Sequence, residues 1–329
     1  MSEVATANAP VANPLAGFLP VRRTTLRASR VNIVDLFIQY DRGAEPRLYC
    51  RAGNLPTDEQ ISELEAAHIQ NLYVRSGDFN TFSNDLLSSL DIVLKQPQLP
   101  SNEKFAALQL AAAAALEQSL RLVDCGKFRR LADKISSDLV TLLGDRDVLP
   151  RELFRLARHD FNAFTHITNV ASYVVILAQK IGITDHAELR KIASAAMLHD
   201  LGKRFIPSRI LTKTERLTFE ERQIIESHPS RGYVDLAETS DLEFGQLMMV
   251  YQHHERVDGT GYPVRILKDE IHPWARLLAI VDVFDTMTAK RPDHRPEPPE
   301  RVLEFQRQQA GTRFDGEFVE CWISAMTKA

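Results

Sequence analysis

Cysteine is scarce in this chain. Three residues out of 329, Cys50, Cys125 and Cys321, stand far apart with no Cys-x-x-Cys pair. An odd, scattered set argues against a disulfide framework and for a reducing, cytoplasmic setting. Long apolar runs are missing too. The longest, around Ala111–Ala115, is broken by Gln109 and Glu117, well short of the roughly 20 residues a membrane helix needs. The first residues show no basic start followed by an apolar core, so neither secretion nor membrane insertion is expected. Positive charge is not in excess: 40 Lys and Arg against 44 Asp and Glu give a formal net charge of −4. That balance excludes a DNA-coating protein, whose affinity rests on clustered cations. A local basic patch could still serve a small anionic ligand.

What is present divides along the chain. The Ala-, Asn- and Pro-containing stretch 1–20 reads as a disordered tail, and 21–94 as a small α/β module with a regulatory role. Within that module VNIVDLFIQY, RLYCRAG and NLYVRSGD suggest strands, while Thr57 caps one helix and FSNDLLSSLDIVL forms another. Two prolines in KQPQLPSN mark residues 95–102 as a linker. Residues 103–149 read as connecting helices. The first has Ala and Leu on nearly every face and therefore suits a bundle or a homodimer interface. From 150 to 329 the signal is almost entirely helical. The expected fold class is mainly α, with a C-terminal all-helical domain behind the small α/β module.

Seven side chains in the helical part need to be weighed together. His199 and Asp200 end the apolar run ELRKIASAAMLHD, and Leu201-Gly202-Lys203 then breaks it. His228 precedes Pro229 at the end of the charged segment FEERQIIESHPS, and His253-His254 follow FGQLMMVYQ. Asp282 sits inside the apolar LLAIVDVFD, where a carboxylate must be paired or bind a metal. His166 lies beside an apolar stripe of Ile167, Val170, Val174, Leu177 and Ile181. Alone, each has a plain structural explanation, such as an exposed helix end or a satisfied core histidine. Together, imidazoles and carboxylates without a thiolate favour iron, manganese, cobalt or zinc. Five histidines and two aspartates exceed the needs of one ion. Two ions sharing a bridging aspartate would suit phosphodiester hydrolysis.

The order His166, His199-Asp200-Leu201-Gly202-Lys203, His228-Pro229, His253-His254-Glu255-x-x-Asp258-Gly259-x-Gly261-Tyr262-Pro263 and then Asp282 in VDVFDTMTAKR resembles the HD-GYP family of bacterial phosphodiesterases. The resemblance spans about residues 150–325. It implies hydrolysis of cyclic di-GMP to pGpG or onward to GMP, with two divalent ions as cofactors, iron ahead of manganese. It also implies that His166, His199, Asp200 and Asp282 hold one ion, and that His228, His253 and His254 hold the second with Asp200 bridging. Lys203 and Arg291 would contact phosphate, and Gly261, Tyr262 and Pro263 would shape the substrate surface and a dock for diguanylate cyclase (GGDEF) proteins.

Two departures stand out. Asn162 occupies a position where some members carry a glutamate for a third metal, which predicts two ions rather than three. Asp293 and His294 replace the usual residues after Arg291-Pro292, which predicts weaker substrate affinity or turnover. The alternatives are a module that binds nucleotide or a cyclase partner with little turnover, and a related hydrolase with another nucleotide substrate. His68, His159, His186, His272 and His294 read as ordinary surface or packing residues, and Trp274 and Trp322 as core.

Overall fold

The computed structural model describes residues 15–23, 32–41, 44–67, 69, 71–121, 125–144, 163–239, 241–289 and 295–327. They fall into two compact units, 1–90 and 91–329.

The first unit is built on four antiparallel strands: β1 (Phe18–Arg22), β2 (Leu36–Ile38), β3 (Arg47–Cys50) and β4 (Asn71–Arg75), in the order β1-β4-β2-β3. Strand β1 therefore lies partly inside the stretch 1–20 read as a tail, of which residues 1–14 lie outside the described residues. Its signal was weak because β1 contains Pro20, which lacks the amide a central strand needs, and β1 lies at the sheet edge. Among the described residues 32–40 of the run VNIVDLFIQY, the strand is the short, fully buried β2. Helix α1 (Asp58–Ala66) starts at a capping box: Thr57 Oγ1 accepts from the Gln60 amide at 3.2 Å, and the Gln60 side chain accepts from the Thr57 amide at 2.9 Å. Leu36, Ile38, Leu72 and Val74 of the strands are buried, as are Leu64, Phe82 and Leu86 of the helices. Helix α2 (Phe79–Leu94) carries the chain out of this unit.

The second unit is helical. Its elements are α3 (Ser101–Arg121), α4 (Cys125–Gly144), α5 (Ala163–Lys180), α6 (His186–Leu198), a 3-10 turn (Leu201–Phe205), α7 (Ser208–Leu211), α8 (Phe219–Glu226), α9 (His228–Thr239) and α10 (Phe244–Gln252). A 3-10 turn at Lys268–Glu270 precedes α11 (Pro273–Thr288), α12 (Pro299–Gln308) and α13 (Gly316–Thr327). Helix α5 is the axis of this unit, packed against α3, α4, α6, α11 and α13. Ile167, Val170, Val174 and Leu177 of its predicted stripe are buried, while Ile181, just beyond the helix end, is partly exposed. Phe105, Ala107, Leu108, Ala111 and Ala112 are buried on α3, which packs on α4 and α5. That accounts for apolar residues on several faces of its first turns. Trp322 is fully buried and lies edge-on to Phe284 at 5.2 Å. It also packs on Tyr173 at 5.6 Å, so an aromatic cluster ties α5, α11 and α13 together.

Candidate metal centre

All seven predicted side chains come together in the helical unit. Helix α6 stops at Leu198, and His199 and Asp200 follow in the transition to the 3-10 turn. That break resolves the problem of two adjacent side chains, which would diverge by about 100° on a continuing helix. Gly202 is required in this turn. A Cβ there would lie 2.0 Å from the His228 carbonyl oxygen and 2.7 Å from the Gly232 amide. His228 opens α9 rather than closing α8, because Pro229 fits a helix's first turn, where its missing amide costs nothing. His253 and His254 leave the C-terminus of α10, and Asp282 and His166 project from α11 and α5.

These side chains form two groups whose ligand-type atoms lie within 4.8 Å of one another: His166, His199 and Asp282 in one, and Asp200, His228, His253 and His254 in the other. The Asp200 carboxylate lies between them. Its Oδ2 is 3.4 Å from His199 Nε2, and its Oδ1 is 3.3 Å from His228 Nε2.

The histidines are prepared as ligands. His199, His228 and His253 each place Nδ1 against the backbone carbonyl three residues earlier, Ala196, Ile225 and Val250, at 2.6, 2.7 and 2.8 Å. A carbonyl only accepts, so Nδ1 carries the proton and Nε2 keeps its lone pair. Burial pushes the His199 and His253 imidazoles below their ordinary value, and neighbouring histidines push His253 further down. His254 is lowered to about 3, mainly by desolvation. With Nδ1 of each ring set against a carbonyl, the Nε2 atoms of His228 and His253 face each other at 3.3 Å. Buried His199 Nε2 and Asp200 Oδ1 make no hydrogen bond. Facing lone pairs and unpaired buried atoms are costly alone and are relieved by a cation. The residues present fit metal ions.

His166 differs. Its Nδ1 is 2.7 Å from Asp285 Oδ2 and its Nε2 is 3.3 Å from Asp282 Oδ1. Burial opposes its charge, but the bonds to the two carboxylates outweigh it and lift the imidazole to about 9. Asp282 and Asp200 are held far below the usual carboxylate range. Burial opposes this in both, while His166 offsets it at Asp282 and Lys203 and the histidines at Asp200. Lys203 Nζ lies 2.6 Å from Asp200 Oδ2.

The Gly-Tyr-Pro loop flanks the second group. The Tyr262 ring lies 4.7 Å from that of His254, at 31°. A Cβ on Gly261 would come within 2.4 Å of the Arg256 amide, so only glycine fits. Buried Glu255 holds the loop's far side by accepting from the Val264 amide at 2.6 Å and the Arg265 amide at 3.0 Å. Pro263 lies between, partly exposed. Arg291, Asn162, Asp293 and His294 lie outside the described residues, as do His68 and His159. His272 has a structural task, accepting from the Trp274 amide at 3.2 Å to cap α11.

The seven-residue pattern missed Asp285 and Asn169, and Glu255, present in the longer motif, was given no task there. Asp285 could have been found by the same argument as Asp282, because it is a second carboxylate in the same apolar helix, three residues on.

The sequence profile described as HD domain matches residues 147–318, more than half of the chain. The chain belongs to the HD domain family. Its curated relatives bear out the HD-GYP resemblance within that family. The cyclic di-GMP phosphodiesterase response regulator RpfG of Xanthomonas campestris pv. campestris is 32% identical over 181 residues, 54% of this chain and 47% of that protein. The 3'3'-cGAMP-specific phosphodiesterase 2 of Vibrio cholerae is 36% identical over 157 residues, 47% of this chain and 30% of that protein. The chain thus spans about half or less of the length of these relatives. A solved structure, the HDG"Y"P protein Bd1817 of Bdellovibrio bacteriovorus, matches with a TM-score of 0.66 at 16% identity. The match covers 94% of this chain and 100% of that one, and it establishes a shared fold. Among the described residues, no helix of the HD domain protein is long and apolar enough to cross a membrane.

Proposed function

We propose that this protein is a metal-dependent cyclic di-GMP phosphodiesterase that yields pGpG, with GMP as the onward product. One observation carries the reading: the Asp200 carboxylate spans two adjoining clusters of imidazole and carboxylate donors. His166, His199 and Asp282 would hold one divalent ion, and His228, His253 and His254 the other, with Asp200 shared. Bound there, two ions would supply Lewis acidity and an activated water for phosphodiester hydrolysis. Iron is the first choice and manganese the second. Lys203 adds a compact cation that can turn from Asp200 to a phosphate oxygen. Tyr262, ordered against His254 and held by the Glu255 clasp, offers a flat wall for a base. Arg291 would grip a second phosphate oxygen.

The family names of the curated relatives support the substrate, and the Vibrio cholerae enzyme makes 3'3'-cGAMP its natural competitor in an assay. The exposed Val264 and Leu267 beside the loop support docking of a GGDEF cyclase. Homodimerisation and a cytoplasmic location belong to the same proposal. The deciding experiment is anaerobic loading with iron or manganese, followed by chromatography of the products from cyclic di-GMP and 3'3'-cGAMP. Cleavage of cyclic di-GMP in preference supports the reading. Tight binding without products from either metal form would overturn it in favour of a binding module.

A further inference from the structure

Behind His166 runs a continuous chain of buried polar side chains. His166 Nδ1 donates to Asp285 Oδ2 at 2.7 Å, and Asn169 Nδ2 donates to Asp285 Oδ1 at 2.9 Å. Gln109 Nε2 donates to Asn169 Oδ1. All four side chains are buried, and they come from three helices, α11, α5 and α3. The direction of each bond is fixed by the one before. An amide group can face a carboxylate only through its NH2 end, so Asn169 must turn its carbonyl oxygen away from Asp285. Gln109 supplies the donor that receives that oxygen. Without it, a buried carbonyl is left unpaired and the Asn169 amide loses the contact that holds its orientation.

We infer that Gln109 is a positioning residue for the first metal group, acting through Asn169 and Asp285 to fix the ring of His166. This rests on the reading of that group as a metal site. Partners bonded directly to a ligating histidine, as Asp285 is to His166, commonly change metal affinity by about 10- to 100-fold, and Gln109 acts two hydrogen bonds behind that partner. The effect should be confined to one ion, because His228 and His253 of the second group lean on backbone carbonyls instead.

The test titrates metal-free full-length protein with Mn2+, counts bound and free metal by EPR and elemental analysis, and follows unfolding of the metal-free forms in parallel. Gln109→Met keeps the side-chain length and removes the donor. Wild type should take up two equivalents. Gln109→Met should bind one of them about tenfold more weakly and the other unchanged. Asp285→Asn should weaken the same equivalent, and adding Gln109→Met to it should change little more, because both cut the same chain. Unchanged binding of both equivalents by Gln109→Met overturns the inference alone. So does equal weakening of both, or a fully additive double variant. A wild type that takes up no Mn2+ overturns the metal-site reading itself.

Discussion

The two donor groups sit side by side and share one device, a histidine leaning on a backbone carbonyl (His199 in the first, His228 and His253 in the second), but His166 sets the first apart. In the first, His166 lies between two carboxylates and is charged at neutral pH without metal. In the second, His253 and His254 are held neutral by burial, and the Nδ1 protons of His228 and His253 are parked on backbone carbonyls. The first group must give up a proton to receive a cation, whereas the second already presents lone pairs. Charged neighbours make a site adjustable; backbone neighbours make it fixed.

The largest expected effect erases the distinction. Asp200 is common to both groups, so Asp200→Ala should lower bound metal from two equivalents towards none and abolish turnover, as elemental analysis and product chromatography would show. Asp285→Asn should act on the first group alone, weakening one equivalent by about 10- to 100-fold while sparing the second. If both equivalents weaken together, the two groups are not independent. Glu255→Ala should act on the side of the second group. It strands the amides of Val264 and Arg265, at a cost of about 2 kcal/mol for bonds to a charged acceptor. Loosening Tyr262 should then raise KM about tenfold with a smaller change in kcat.

The smallest effect is in the pH dependence of the metal-free protein. His166 is raised to about 9, so its contribution to stability is full below about 6.5 and is lost as pH rises to 9. His199, His253 and His254 are lowered, so stability is also lost as pH falls below 6.5, where the unfolded chain takes up protons that the fold refuses. Thermal melts from pH 5 to 9 should show both limbs, and His166→Gln should lack the alkaline one.

The donor residues were legible in the sequence through their combined order along the chain, since each short pattern alone has a plain structural explanation. His199-Asp200 and His253-His254 could be read directly, and the structure brings them together with His166, His228 and Asp282. The supporting residues were not legible. Gln109 and Asn169 are 60 positions apart in the chain, and an ordinary amide on a helix carries no local mark of a distant partner. In the sheet, Pro20 concealed an edge strand, and within 32–40 the apolar run overstated a three-residue one. Periodicity reports which face is apolar, whereas the extent of a short strand is set by the partners it finds in space.

The place of Gln109 also bears on where this domain ends. The family profile begins at residue 147, yet Gln109 lies upstream on α3, whose apolar side packs on α5. Trimming the chain to the matched segment would remove this donor along with the helices that shield the α5 core. Homology and self-sufficiency therefore draw different borders in this molecule, and an excised HD domain fragment should keep everything from the start of α3 onward.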